Sequence, residues 1–101
     1  MIEVHQTNAF ADWLRRLKDD NAVARIVARI RRLEQGNQGD VKSVGAGVRE
    51  MRVDYGPGYR IYYAQRGATV VILLCAGDKR TQAQDIRRAQ AMAREIAGKP
   101  R

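Results

Sequence analysis

Two scarcities in this chain remove more chemistry than any motif adds: it has one cysteine, Cys75, and one histidine, His5. A lone cysteine cannot build an intramolecular disulfide framework, so a reducing cytoplasm is the expected setting. One His and one Cys, far apart and in different elements, cannot supply the ligands a zinc ion needs. No metal site and no cofactor is therefore expected, and no Ser-His-Asp or Cys-His triad has convincing members. His5 reads as a partly exposed strand residue, and Cys75, inside VVILLCA, as a small core residue. No apolar run approaches the ~18 to 20 residues that cross a bilayer, so no membrane partner is expected. The first residues, MIEVHQTNAF, lack the basic start and apolar stretch of a secretory signal. Neither Gly45-Ala46-Gly47 nor Gly56-Pro57-Gly58 belongs to a phosphate loop, because no G-x-x-x-x-G-K runs from a strand into a helix. That excludes P-loop nucleotide hydrolysis.

What the chain does have is positive charge. Nineteen Lys and Arg against eleven Asp and Glu give a formal charge of +8 on 101 residues. So large an excess on so small a body attracts polyanions over long range, and nucleic acid is the partner class left once the membrane is set aside. An apolar fraction of 45% is ordinary for a folded protein. The length allows a single domain, residues 1–101, with one modest core.

The element order follows from periodicity. Residues 2–6 alternate Ile2 and Val4 against Glu3 and His5, as an edge strand does. From Asn8, taken as a cap, Phe10, Trp13, Leu14 and Leu17 keep the spacing of one helix face. Lys18-Asp19-Asp20-Asn21 interrupts it. A second helix follows with Ala22, Val23, Ile26, Val27, Ile30 and Leu33 inward, ended by Gly36. Arg25, Arg29 and Arg32 form a stripe on its outer face, a solvated surface or a contact for nucleic acid or protein. Residues 36–47, rich in glycine, read as a loop. The apolar run 69–76, TVVILLCA, reads as a strand buried on both faces. Thr81-x-x-Gln84 reads as a capping box that opens a last helix, with Ile86, Ala89, Ala93 and Ile96 buried and Gly98 and Pro100 closing it. The expected fold is α+β, in the order β-α-α-β-β-β-α, with helices covering one face of an antiparallel sheet.

The informative stretch is residues 48–79. Two strands flank Tyr55-Gly56-Pro57-Gly58, whose glycines permit positive φ and whose proline fixes one turn dihedral. Pairing about this turn puts Met51, Val53 and Ile61 on one face and Glu50, Arg52, Asp54, Arg60 and Tyr62 on the other. Arginines side by side on adjacent strands repel unless carboxylates or a bound polyanion sit among them. With Lys79, and with Lys42, Arg49 and Arg80 nearby, Arg52 and Arg60 form a cationic set. Arginine holds phosphate bidentately and keeps its charge at any working pH. The competing reading is a surface network in which Arg52 pairs with Glu50 or Asp54. Tyr55, Tyr59, Tyr62 and Tyr63 divide between packing in the core and a polar face where a ring stacks on a base or donates a proton.

The run GDVKSVGAGVREMRVDYGPGYRIYY, followed by VVILLCAGDKRTQAQDI, resembles the RelE/ParE superfamily of toxins from type II toxin–antitoxin modules. The likeness is nearest to its HigB-like branch of addiction module killer proteins and extends over residues 10–96. The resemblance implies the RelE-like fold and a metal-independent endoribonuclease that cuts messenger RNA, usually on the ribosome. A ribose 2′-hydroxyl attacks the adjacent phosphate, leaving a 2′,3′-cyclic phosphate and a 5′-hydroxyl. The matching positions for phosphate and transition-state contact are Arg52, Arg60 and Lys79. Glu50, Tyr59, Tyr55 or a lysine is left as general acid or base, with Lys42, Arg49, Arg80 and Tyr55 for RNA binding. The resemblance also implies a cognate antitoxin, of helix-turn-helix type. The toxin is then a monomer alone, with a heterotetramer open to the complex. ParE-type relatives share the fold yet bind DNA gyrase without chemistry, so non-catalytic gyrase inhibition is the alternative.

Overall fold

Local capping and apolar spacing account for each element of the computed structural model, which describes residues 1–98. A short strand β1 (Glu3–Gln6) leads into helices α1 (Asn8–Arg16) and α2 (Asp20–Glu34). Strands β2 (Val41–Ser43), β3 (Val48–Val53), β4 (Tyr59–Arg66) and β5 (Val70–Asp78) follow. A single 3₁₀ turn, Lys79–Thr81, then leads into α3 (Gln82–Ala97). The cap of α1 is Thr7, not Asn8: its Oγ1 accepts the Phe10 N–H at 3.1 Å and donates to the Leu74 carbonyl at 2.6 Å. Asp19 caps α2 by accepting from the Asn21 and Ala22 N–H groups. The expected capping box at Thr81 does not form. The Thr81 hydroxyl instead donates to Asp85 Oδ2 at 2.6 Å, and the cap makes no side-chain bond to the helix backbone. The terminator expected at Pro100 lies outside the described residues.

The order is β-α-α-β-β-β-β-α, one strand more than expected, because residues 41–43 of the glycine-rich segment pair with β3. Three residues are too few for alternation to register as a strand in sequence. The sheet order is β1-β5-β4-β3-β2. All pairings are antiparallel except β1 with β5, which is parallel, so the sheet is mixed. The two consecutive helices between β1 and the rest of the sheet make this parallel return possible.

The helices also cover both faces rather than one. On the first face α1 and α2 close over Met51, Val53, Tyr59, Ile61, Tyr63, Val71, Leu73 and Ala76. On the second, α3 packs Ala89 and Ala93 against Val48, Tyr62, Leu74 and Cys75. A bulge lets Leu74 and Cys75 enter the same cluster: Tyr62 pairs with Cys75 but Tyr63 with Leu73, leaving Leu74 extra. The small residues of α3 let it lie close to the strands. None of the described helices is long and apolar enough to cross a membrane.

Candidate functional site

The register of β3 and β4 sets Arg52 directly opposite Arg60. Two positive side chains in that relation repel one another. What offsets them lies underneath, on the same face, two residues back along β3. Glu50 is 0% exposed, and its two oxygens have different company. Oε2 accepts hydrogen bonds from the Tyr62 hydroxyl and from Gln82 Nε2, each at 3.0 Å. Oε1 lies 3.9 Å from Lys42 Nζ, 3.9 Å from Arg52 Nε and 4.0 Å from Arg60 Nη1. Those separations are ion pairs and too long for hydrogen bonds. Oε1, Arg52 Nε and Arg60 Nε are all buried without a hydrogen-bond partner in the structure. Burial and the bond to Glu50 push the Tyr62 phenol well above its ordinary pKa, so it stays a proton donor to the carboxylate.

Above this carboxylate is a groove of about 360 Å³, lined by Arg52, Arg60 and Lys79 with Asp40, Val53, Asp54 and the turn Gly56, Pro57 and Gly58. The turn residues Gly56 and Gly58 have φ of 57° and 80°, a region open to glycine at little cost. Arg60 is the more tightly held of the two arginines, its side chain 12% exposed against 39% for Arg52. Lys79 arrives from the end of β5 through the 3₁₀ turn, and Gly77 fixes that approach. A Cβ on Gly77 would stand 1.9 Å from Asp85 Oδ2 and 2.8 Å from Thr81 Oγ1, so only glycine lets α3 seat this close. A cavity of about 310 Å³ beside Trp13 also contains arginines, Arg16 and Arg88. Both are exposed on helix surfaces, without the buried anchorage that fixes Arg52 and Arg60.

Of the residues singled out in sequence, Arg52, Arg60 and Lys79 therefore share one groove, while Lys42 reaches the set only through its ion pair with Glu50. The others lie elsewhere. Glu50 cannot reach a substrate hydroxyl from beneath the arginines, so general acid–base contact does not fit it. Tyr59 is on the opposite face, 8% exposed, its ring edge-on to Trp13 at 5.9 Å and 73°. Burial, reinforced by Asp19 and Asp78, raises its pKa. Alternation along β4 forces this: adjacent residues 59 and 60 must point to opposite sides. Tyr55 lies under the Arg25 guanidinium, 4.6 Å from the ring centroid, and its hydroxyl donates to Asp19 at 3.4 Å. Arg49 sits on the side of the sheet that α1 and α2 cover and donates to Gln38 Oε1 at 2.8 Å. Arg80, 83% exposed, pairs with Asp78 at 3.0 Å and holds the Asp78 carboxyl below its usual range.

Sequence reasoning missed Asp40 as a site residue. Its carboxylate is 63% exposed and 3.8 Å from Arg52 Nε, and its carbonyl accepts the Arg52 N–H at 3.0 Å. Only the pairing that also creates β2 brings it there. The Arg25, Arg29 and Arg32 stripe is not uniform surface either. The Arg29 guanidinium donates to the carbonyls of Arg52, Gln38 and Asp40, tying α2 to the segment that carries Asp40.

A family model described as phage derived protein Gp49-like (DUF891) matches residues 12–97. An uncharacterized protein of Haemophilus influenzae is 48% identical over 95 residues, which is 94% of this chain and 96% of that one.

Proposed function

The chain belongs to the Gp49-like family of phage-derived proteins, and from that premise we propose that it is the toxin of a type II toxin–antitoxin module. In this reading it is a metal-independent endoribonuclease that cuts messenger RNA on the ribosome, in the cytoplasm, and is neutralised by a helix-turn-helix antitoxin. The HigB-like resemblance of residues 10–96 supports it. The observation that carries it is the opposed pair Arg52 and Arg60, facing one groove with Lys79.

The two guanidiniums straddle the scissile phosphate and meet the charge that grows on it as the ribose O2′ attacks. Fixed donors of this kind stabilise a transition state without reorganising, and removing one commonly costs ~10² to 10³ in rate. The 2′-hydroxyl proton passes to a carboxylate lining the groove, Asp40, which stands beside Arg52. The bond from phosphorus to O5′ breaks, and the Lys79 ammonium protonates the departing oxygen. A 2′,3′-cyclic phosphate and a 5′-hydroxyl result. The charge of +8 supplies the long-range attraction to RNA.

The test is Arg60→Gln. Primer extension on messenger RNA after a short pulse of the unaltered protein gives discrete new 5′ ends, and the variant gives none while still folding and binding the antitoxin. A variant that cuts RNA and stops growth as well as the parent overturns the reading. An SOS response without new 5′ ends identifies gyrase inhibition instead. The mass of the co-purified complex distinguishes a heterotetramer from a simple pair.

A further inference from the structure

We propose that Glu50 is a built-in anion, a positioning residue that sets the spacing of Arg52 and Arg60 in the free protein by supplying the charge a substrate phosphate later shares. The inference rests on the phosphate-binding reading of the groove and deepens it.

The two oxygens of Glu50 divide the work. Tyr62 and Gln82, both neutral, donate to Oε2 and fix the plane of the carboxylate. Oε1 is then held at 3.9 to 4.0 Å from three cations, without a hydrogen bond to any of them. A carboxylate that served only to build a salt bridge would close to hydrogen-bond distance with one arginine. This one stays equidistant and so neutralises the set without capturing a member. Arg52 is engaged through Nε and Arg60 through Nη1. The remaining guanidinium nitrogens, apart from the buried Arg60 Nε, are left for the groove these residues line.

The same carboxylate joins four elements: β3 carries it, β2 brings Lys42, β4 brings Arg60 and Tyr62, and α3 brings Gln82. Gln82 begins the helix directly after the turn that holds Lys79. The charge of Glu50 thus fixes the arginine spacing and, through its Gln82 bond, the seat of the lysine. A fully buried carboxylate is costly to desolvate and persists where several partners compensate it. The partners here are themselves cations that repel one another, so the stabilisation is mutual.

The prediction concerns the response to an external anion. Glu50→Gln keeps the volume and the acceptor for Tyr62 but removes the charge between the cations. In chloride its melting temperature falls by about 5 °C or more. Inorganic phosphate at matched ionic strength raises it by a clearly larger increment than it raises the parent, because the free anion now occupies the role of the missing charge. Adding Arg60→Gln to Glu50→Gln recovers melting temperature and removes the extra phosphate response. Against a short RNA, Glu50→Gln lowers kcat more than it raises KM.

Equal phosphate responses in parent and variant overturn the inference, as does a double variant that melts at or below Glu50→Gln. If Glu50→Gln alone does not fold, the double variant decides: a cooperative melt supports the proposal, and none overturns it. The phosphate measurement involves no RNA, so the two readings fail separately. A differential response in a protein that cuts no RNA removes the nuclease and leaves the role of Glu50. RNA cleavage without that response does the reverse.

Discussion

Arg60 and Ile61 are neighbours on one strand, and the two sides of the sheet they face are built on opposite terms. Ile61, 0% exposed, enters an apolar and aromatic cluster that α1 and α2 close over. Arg60 faces a layer that α3 covers over only part of its length, leaving a charged floor at the hairpin end. The first face obtains its stability from area removed from water, which is indifferent to direction. The second holds like charges together around one carboxylate, an arrangement that is useful because of its direction. Fold and the proposed function thus fall to alternate residues of the same two strands.

Exchanging the contents of those neighbours separates the two roles most sharply. Ile61→Ala should lose about 2 to 5 kcal/mol in denaturant unfolding, the cost of a cavity in a closed core. RNA cleavage per folded molecule should be unchanged. Arg60→Gln should shift the loss to chemistry, with cleavage reduced by ~10² to 10³, while stability falls by only about 1 to 3 kcal/mol because the buried Glu50 keeps Lys42 and Arg52 as charged partners. A smaller effect tests the joint between the layers. Gly77→Ala forces a methyl against Asp85 and Thr81, so α3 must shift. A loss of about 1 to 3 kcal/mol is expected, as for an overpacked site. Cleavage should fall with it because Lys79 moves, and a variant with unchanged melting and activity would show that α3 has slack at this point.

The smallest effect belongs to Cys75, under α3. Burial pushes its thiol up to about 11, whereas an unfolded chain releases that proton near ~8.5. The folded state therefore holds the proton more tightly. The resulting stability is complete below about pH 8.5 and is lost as pH rises through the folded value. Thiol-specific reagents should leave Cys75 untouched at neutral pH until the protein unfolds. Rapid labelling of the native protein would mean that the α3 layer opens far more readily than the α1 and α2 layer.

Much of this was legible in the chain because strand alternation has a fixed period of two. Once the turn at Gly56-Pro57-Gly58 is recognised, Arg52 and Arg60 must share a side with Glu50, and Met51, Val53 and Ile61 must take the other. The same rule places Tyr59 away from the arginines, so its candidacy as a proton donor conflicted with alternation already in view. The same rule sets Arg49 on the side of Met51 and Val53, away from Arg52. Tyr55 was less readable, because it lies in the turn and is drawn to Arg25, a partner remote in sequence that periodicity does not identify. Asp40 was hidden by the brevity of β2, and the parallel return of β1 by the length of chain between it and β5.

The sequence by itself determined the composition of each surface: which residues are apolar, where the turns fall, and that cations outnumber the acids near the hairpin. Those are properties of single residues and of spacing, and they need no knowledge of distant neighbours. Tertiary structure alone decided that helices close both faces, that Glu50 is sealed beneath its arginines, and that Gln82 and Asp40 join them. Each depends on which remote segment packs against which, and on the energy of burying a charge. That energy becomes defined only when all of its partners are in place.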